Sequence, residues 1–578
     1  MAKKSAKKPA ASHKAKTNGH ANGKGAPKAS AAASSKAPSR TALAAAPKPP
    51  VTKAPAAKPA VVKAILVKKA PKGAAAKPTA KLPGAAKLAK PTRTTRRRPT
   101  TRKLAASAGS KTGAPSAAIV VAPRLAPSPA ASPAIIVRDQ RRRAVLVAGV
   151  RTPFLKAFTE YTRLDTIALG VMATRALLAR TGLNTKEIDA AVWGGVILPS
   201  AAPNVAREIV LDLNLPTSVE AMTVTRACAS GLQAITLAAA QIERGEADVV
   251  IAGGSDSTSN AELKVPQRVV HTLGPLALKK ASPMEFLGAV GSLAPFTDVL
   301  PKMPRIAERT TGQVMGESAE EMAARNGITR EEQDAFAALS HHRAAEAIRT
   351  GRFDREVAPV EASGGKWVHT DGLVRADTST EKLSRLRPAF KRDGTVTAGN
   401  ASPLTDGAAA VLLMEESKAL SLGLRPLARF RSWAYTAVDP RDQLLMGPAL
   451  AIPKALDRAG LTLAHADYVD LHEAFAAQVL SVLKMLGSRA FAAERLGRDA
   501  AVGEVPEERL NVHGGSIALG HPFGATGARM VTTMASELAL TGKQFAVLGI
   551  CAAGGLGAAA VLENAASEPR SQRAERRA

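Results

Sequence analysis

Cysteine is nearly absent from this chain of 578 residues: Cys228 and Cys551 are the only two. That number excludes a disulfide-stapled secreted scaffold. Aromatic residues are scarce too, at 3%, and the first is Phe154. Apolar stretches such as Ala118–Ala122 and Ala134–Val137 fall far short of the ~20 residues that a membrane span needs. The opening residues carry no continuous apolar segment of the secretory type. A soluble, reducing, cytoplasmic setting is therefore expected. The acid-poor, Ala- and Ser-rich beginning leaves organelle targeting open and raises association with a nucleoid or membrane surface.

Acidic residues are the most unevenly distributed of all. Residues 1–143 hold 33 Lys and Arg against one carboxylate, Asp139, so they carry +32, the charge of the whole chain. The remainder has 47 basic and 47 acidic side chains and is neutral. A uniformly basic nucleic-acid-binding fold is thereby excluded. In residues 1–143, Pro interrupts every prospective helix and the few apolar side chains cannot offset the entropy of ordering. The segment reads as a disordered tail. It is either a solubilising extension or a grip on a polyanion, nucleic acid or anionic membrane, held through counterion release rather than sequence readout. Residues 566–578 are read as a disordered C-terminus.

The body begins at Ala144 and is long enough to bury a large core. AVLVAGV at Ala144–Val150 is a buried-strand pattern, a helix is expected over Leu164–Thr181, and a second strand over Ala190–Val196. RACASGLQAITLAAAQIERG reads as a turn entering a helix, and ADVVIAGGSDS as a strand entering a Gly-rich loop. Such alternation predicts an α/β fold with a largely parallel sheet between helices. The pattern then repeats. GLNTKEIDAAVWGGV from Gly182 matches GLTLAHADYVDLHEA from Gly460, 278 residues on. SGLQAITLAAAQIERGEADVVIAGG matches TGARMVTTMASELALTGKQFAVLGI, whose Gly542 lies 297 residues beyond Gly245. The difference fits an insertion around Leu486–Val505. Two pseudo-symmetric halves follow, 144–415 and 416–565, with an inserted loop domain at about 262–385 that is basic and apolar at Lys264–Lys302 and helical from Thr311 to Arg349.

Cys228 lies in a small-residue turn at a helix start, where free backbone N–H groups and the positive helix end favour thiolate. Cys551 ends an apolar strand in the other half. The alternative, two buried small hydrophobes, fits poorly because neither flank looks like core. His521, in GGSIALGHPFGATGARM, has glycines on both sides that permit close backbone approach, and Pro522 can open the next helix. His472, in DLHEAFAAQ, follows a strand, where it faces a cleft or simply starts a helix. His513 is read as structural, and His341 and His342 as facing solvent or making ordinary contacts. There is no P-loop, no GxGxxG after a strand and no HExxH. With no His/Cys pair at ligand spacing, no metal site is expected. The set that remains, a Cys nucleophile, a His partner and a second Cys, suits acyl transfer through a thioester.

RACASGLQA at Cys228, GTVTAGNASPLTDGAAAVLLM at Gly394–Met414, HEAFAAQ at His472, GGSIALGHPFGATGARM at His521 and CAAGGLGAA at Cys551 together resemble the thiolase family over almost all of 144–564. APNVAREIVL, TTGQVMGESAEEMAARNGITREEQDAFA and the HEAF form at His472 are most similar to the fatty-oxidation branch, which includes the trifunctional-complex β subunit. The resemblance implies a thiolase-like αβαβα fold, two pseudo-symmetric halves of mixed sheet layered with helices, and cleavage of 3-ketoacyl-CoA by coenzyme A. CoA would be a co-substrate, and no cofactor is permanently bound. It implies Cys228 as nucleophile, His521 as its base, and Cys551 as the acid/base that handles the acetyl-CoA enolate. His521 and His472 would form one oxyanion hole, and the backbone N–H groups of Cys228 and Ala553 another. Ser402 and Met315 would line the CoA channel, unless Ser402 merely ends a turn and Met315 is core. A homodimer or homotetramer is implied, with Lys264–Lys302 expected to meet membrane or a hydratase/dehydrogenase α subunit. A 3-ketoacyl synthase would pair its Cys with His/His or His/Asn, so Cys551 argues against it. An acetoacetyl-CoA-forming biosynthetic thiolase and a polyanion-binding protein with a secondary thiolase body are the remaining alternatives.

Overall fold

Residues 142–302 and 306–566 are described by the computed structural model. The expected disordered segments therefore lie outside the described residues, apart from Arg142 and Arg143 at one end and Ala566 at the other.

The repeat in the sequence is a repeat in the chain path. In the first half, β1 (Ala144–Arg151) leads to α1 (Thr166–Thr181), β2 (Ala190–Gly194), α2 (Val205–Asp212), β3 (Glu220–Val224), α3 (Ser230–Arg244) and β4 (Val249–Ser257). The longer helices that follow, α4 (Gln267–Leu278), α5 (Pro283–Ser292), α6 (Met315–Asn326) and α7 (Arg330–Arg349), precede β5 (Thr405–Glu415). The second half has β6 (Ala428–Ala437), α8 (Gly447–Ala459), β7 (Tyr468–Leu471), α9 (Ala476–Leu486), α10 (Gly524–Thr541), β8 (Phe545–Ala552) and β9 (Leu556–Asn564). Local signals set several helix ends. Asp165 caps α1 by accepting from the Ala168 amide at 2.8 Å. α1 and α8 stop at Gly182 and Gly460, with φ 60° and 68°, and α3 and α10 stop at Gly245 and Gly542, with φ 76° and 71°. These four matched glycines adopt the left-handed conformation that closes a helix, and they are the glycines that align in the sequence repeat.

The strand order is β7-β8-β9-β6-β1-β5-β4-β2-β3. Each half has the same grammar: β2 is parallel to β4, which is antiparallel to β5, itself antiparallel to β1. Likewise β7 is parallel to β8, then β9 and β6 follow antiparallel. The halves meet where Val145 and Leu146 pair with Arg429 and Ala428. Strand alternation sorts side chains into layers. Val250, Ala252, Ala409, Val411, Ala546, Leu548, Ala558 and Ala560 face a central cluster with Leu232 and Ile235 of α3 and Met530 and Val531 of α10. Val249, Ile251, Ala410 and Leu412 pack outward under α1 and α2. Val547, Ala559 and Val561 pack outward under α8 and α9, joined by α6 and α7. The layering is helix, sheet, helix, sheet, helix. Among the described residues no helix is long and apolar enough to cross a membrane.

Four expectations shift. The sheet is mixed and mainly antiparallel rather than largely parallel: along it only β2 with β3, β2 with β4 and β7 with β8 pair in parallel, and the remaining pairings are antiparallel. Gly253 and Gly254 lie inside β4 rather than in a loop. A Cβ on Gly254 would stand 2.1 Å from the Gly524 carbonyl oxygen, so the strand uses glycine to let α10 approach. The second strand ends at Gly194, short of Val196, because the Val196 and Ile197 amides turn to the Asp256 carboxylate. Finally, Pro522 precedes α10 rather than opening it.

Candidate active site

A close crossing of two helices places the site. α3 and α10, the equivalent helices of the two halves, touch where a Cβ on Gly231 would fall 2.2 Å from Gly524 O and one on Gly527 2.5 Å from Leu232 N. Only residues without side chains permit that approach, and it brings the segments leading into both helices together. The turn before α3 is held by Ser230, whose hydroxyl accepts from the Arg226 amide at 2.7 Å and donates to the Ala227 carbonyl at 2.6 Å. Ala227 takes φ 45°, a strained value for a residue with a side chain. Cys228 follows it, half-buried.

The donor atoms of Cys228, His472 and His521 all lie within 4.8 Å of one another. The two imidazoles stand 4.2 Å apart between ring centroids, tilted by 45°. Each is held from behind. Nδ1 of His521 meets the Thr526 hydroxyl at 2.6 Å, and its backbone amide donates to Thr405 Oγ1 at 3.0 Å. Nδ1 of His472 meets the Ser516 hydroxyl at 3.0 Å, and Ser516 accepts from Arg529 at 3.4 Å. Arg529 can only donate, so the Ser516 oxygen accepts from it and its own hydrogen is available to His472 Nδ1; in that arrangement the proton of His472 sits on Nε2. Thr526 meets no such cation and can accept or donate, so His521 can bind and release a proton at Nε2. Both Nε2 atoms are buried without a hydrogen-bond partner among the described residues.

Burial dominates the electrostatics. It pushes His521 down to about 3, aided by the Arg529 charge. Burial, the second imidazole and Arg529 hold His472 well below the ordinary range. Burial also lifts the Cys228 thiol to about 11, although the amides of Ala553 and of Cys228 itself, facing its sulfur, pull the other way. The expectation that the helix start favours thiolate is thus corrected: the amides act in that direction and desolvation outweighs them. Cys551 is fully buried in the outer cluster of the second half, so its surroundings are core after all. Its thiol is pushed well above its usual range by burial and by nearby Cys228.

The remaining expected residues fall around this group. Ala553 follows Cys551 and presents its amide to the Cys228 sulfur. Ser402 donates its amide to Ala474 O at 3.0 Å, inside the segment that carries His472, and Leu404 bridges to His521. Met315 opens α6, partly buried against the core. His513 stands outside the cluster, bonded to Glu537 at 2.7 Å. His341 is buried, contrary to a solvent-facing reading, and its Nδ1 accepts from the Arg375 amide at 3.2 Å. His342 bonds the Thr378 carbonyl at 2.7 Å.

Several supporting residues escaped the sequence reading. Asp256 is fully buried and accepts from the amides of Gly524 at 2.7 Å, Val196 and Ile197, pinning the start of α10; burial raises it to about 7. A carboxylate inside an apolar strand was the available signal. Asn511 clasps the end of β7 through Leu471 N at 2.7 Å and O at 2.9 Å, and donates to Glu473 at 2.7 Å. Glu308 accepts from the Gly554 amide at 3.0 Å and steadies the loop after Cys551.

Comparison with known proteins fits this architecture. The family models for the thiolase N-terminal domain and the thiolase C-terminal domain match residues 144–417 and 424–564. The chain belongs to the thiolase family. It is 46% identical over 426 residues to the 3-ketoacyl-CoA thiolase of Photobacterium profundum, covering 73% of this chain and 97% of that one. With the 3-ketoacyl-CoA thiolase of Yersinia pestis it shares 46% over 433 residues, 75% and 99% of the two chains. Among solved structures, the Bacillus anthracis acetyl-CoA acetyltransferase aligns with TM-score 0.63 at 33% identity, covering 74% of this chain and 99% of its own. Human mitochondrial 3-ketoacyl-CoA thiolase in complex with CoA aligns with TM-score 0.64 at 31% identity, covering 74% and 98%. Neither family model reaches into the basic segment of this thiolase.

Proposed function

We propose that this thiolase cleaves 3-ketoacyl-CoA with coenzyme A, giving acetyl-CoA and an acyl-CoA shorter by two carbons, as in fatty acid β-oxidation. The observation that carries the reading is the meeting of the Cys228 sulfur with the His521 and His472 nitrogens beside Cys551. His521 Nε2 takes the Cys228 proton as sulfur attacks the 3-keto carbonyl. The Cα–Cβ bond breaks, the acyl group stays on sulfur as a thioester, and the electron pair leaves with the acetyl-CoA enolate. Cys551 gives its proton to that enolate carbon and recovers one from the incoming CoA thiol. The CoA thiolate then displaces Cys228, and the proton on His521 returns to the freed sulfur. The His472 Nε2–H, turned inward by Ser516, is a donor to the enolate oxygen, while the Cys228 and Ala553 amides face the carbonyl oxygen of the acyl group. Ser402 and Met315 are assigned to the CoA channel.

The test is CoA-dependent cleavage of 3-ketoacyl-CoA substrates of several chain lengths. Wild type should turn over, Cys228→Ser should form no acyl-enzyme, and Cys551→Ala should accept an acyl group yet fail to exchange the α-protons of acetyl-CoA. Near-full activity of Cys228→Ser overturns the assignment.

For the basic segment we propose sequence-blind, salt-sensitive binding to nucleic acid or an anionic membrane surface; its support is +32 carried by 143 residues. Removing residues 1–140 should leave turnover intact and abolish that binding at low salt. A homodimer or homotetramer, joined or not to a hydratase/dehydrogenase α subunit, rests on family membership and is checked by light scattering. Two cysteines carried as free thiols support a reducing, cytoplasmic location, checked by fractionation.

A further inference from the structure

The sequence offers no metal-ligand spacing, yet the fold assembles one from three distant segments. Cys228 comes from the turn before α3, His472 from the end of β7 and His521 from the segment before α10, with their ligand atoms within 4.8 Å of one another. Two further observations turn proximity into a site. His472 is 0% and His521 6% exposed, and each has an Nε2 that no group among the described residues satisfies. Each ring is also anchored through Nδ1, by Ser516 and Thr526; metal-binding histidines characteristically donate from that second nitrogen, which His521 can do to Thr526 directly and His472 can do once its proton moves to Nδ1. Tetrahedral zinc, with bonds of ~2.3 Å to sulfur and ~2.0–2.1 Å to nitrogen, needs donors separated by roughly 3.3–3.6 Å, which asks each group to shift by at most roughly 0.8 Å.

We infer that Cys228, His472 and His521 form a three-ligand site for a thiophilic divalent cation, Zn2+ above all, and that its occupation switches the enzyme off. Binding replaces the Cys228 thiol proton, which leaves to solvent, with a sulfur–zinc bond; nothing is oxidised or reduced. Both imidazoles bind through the Nε2 lone pair, which for His472 means moving its proton to Nδ1 and turning the Ser516 hydroxyl into an acceptor. The fourth position stays open for water. The nucleophile and its base are then unavailable together. Mg2+ and Ca2+ are excluded because the site offers nitrogen and sulfur where those ions require oxygen. The inference goes beyond the proposed function, since it needs only the three donors and holds whatever reaction they serve.

The test uses the full chain, stripped of metal. Co2+ should produce the near-ultraviolet sulfur-to-cobalt charge-transfer band, and Zn2+ should abolish it by displacement. Equilibrium dialysis should find one more tightly held Zn2+ in wild type than in Cys228→Ala; histidines elsewhere, including His13 and His20, are common to both and cancel. His472→Gln should weaken binding at least tenfold, whereas Cys551→Ala should keep the band. In wild type, Zn2+ should slow alkylation of Cys228 at least tenfold, with chelator restoring both reactivity and turnover, and Mg2+ should do nothing. Absence of the band, equal zinc counts in wild type and Cys228→Ala, or unprotected Cys228 would overturn the inference.

Discussion

Replacing Ser516 by Ala should impair turnover through a residue that touches no substrate. The side chain is fully buried, and its hydroxyl is the one hydrogen bond described for His472 Nδ1. With the Arg529 guanidinium donating to the same oxygen at 3.4 Å, the hydroxyl is free to donate to Nδ1 and so favours the tautomer that would turn an N–H toward the enolate under the proposed mechanism. Removing it leaves a buried Nδ1 facing a methyl group, a penalty of about 1–3 kcal/mol, and lets the imidazole proton move to the wrong nitrogen. Outright loss of an oxyanion donor costs about 10²–10³ in kcat; misplacing one should cost less. We expect kcat to fall about 10- to 100-fold, equivalent to about 1.4–2.7 kcal/mol, with KM changed less than about threefold. Steady-state thiolysis reads both numbers. Because Ser516 acts through His472, the double variant Ser516→Ala/His472→Ala should be no slower than His472→Ala alone. A kcat within twofold of wild type, or full additivity in the double variant, would refute the tautomer argument.

Three further outcomes are expected. Alkylation of Cys228 requires thiolate, so with the thiol pushed up to about 11 its rate should climb about tenfold per pH unit from pH 7 to 9; a plateau below pH 8 would mean a preformed thiolate–imidazolium pair. Asp256→Asn keeps a single acceptor facing three amides and should cost about 1–3 kcal/mol in urea unfolding, the range for buried donors left unsatisfied; an unchanged stability contradicts the anchoring role. Gly231→Ala drives a Cβ to 2.2 Å from a backbone oxygen that cannot swing away, so at least about 3 kcal/mol and most activity should go; wild-type melting and turnover would refute it.

The parts legible in the sequence share a physical cause. Apolar periodicity and helix-ending glycines are local signals, so the strands, the main helices and the repeat through Gly182, Gly460, Gly245 and Gly542 could be read without coordinates. The motifs around Cys228, His472, His521 and Cys551 also stood out, since small residues flank reactive ones. What could not be read is the outcome of competition between distant groups. Gly254 looks like loop until Gly524 O is known to lie against it. Asp256 looks like the start of a turn until three amides are found around it. Ser516, Thr526 and Arg529 sit inside recognisable motifs, but which nitrogen each controls depends on a crossing between halves almost 300 residues apart in sequence. The failed expectation of a ready thiolate at Cys228 has the same origin: a helix start is visible locally, whereas the burial opposing it is tertiary.

That opposition bears on how the enzyme handles its nucleophile. With the thiol near 11 and the imidazole near 3, both partners are neutral at physiological pH, and burial penalises the charged form of each. A standing ion pair would expose a reactive thiolate to oxidants and alkylating agents between turnovers. In the neutral arrangement the proton has reason to leave sulfur only when a carbonyl is present to receive the electron pair, because under the proposed mechanism the negative charge then passes to an oxygen within reach of the Cys228 and Ala553 amides that face the sulfur. The same amides are too weak to ionise the free thiol against desolvation, yet hydrogen bonds aimed at a developing oxyanion gain strength in a low-dielectric site. Burial thus keeps the resting nucleophile quiet while strengthening the stabilisation of its product, and a variant that admits water beside Cys228 should become more reactive toward alkylation as it becomes less active toward substrate.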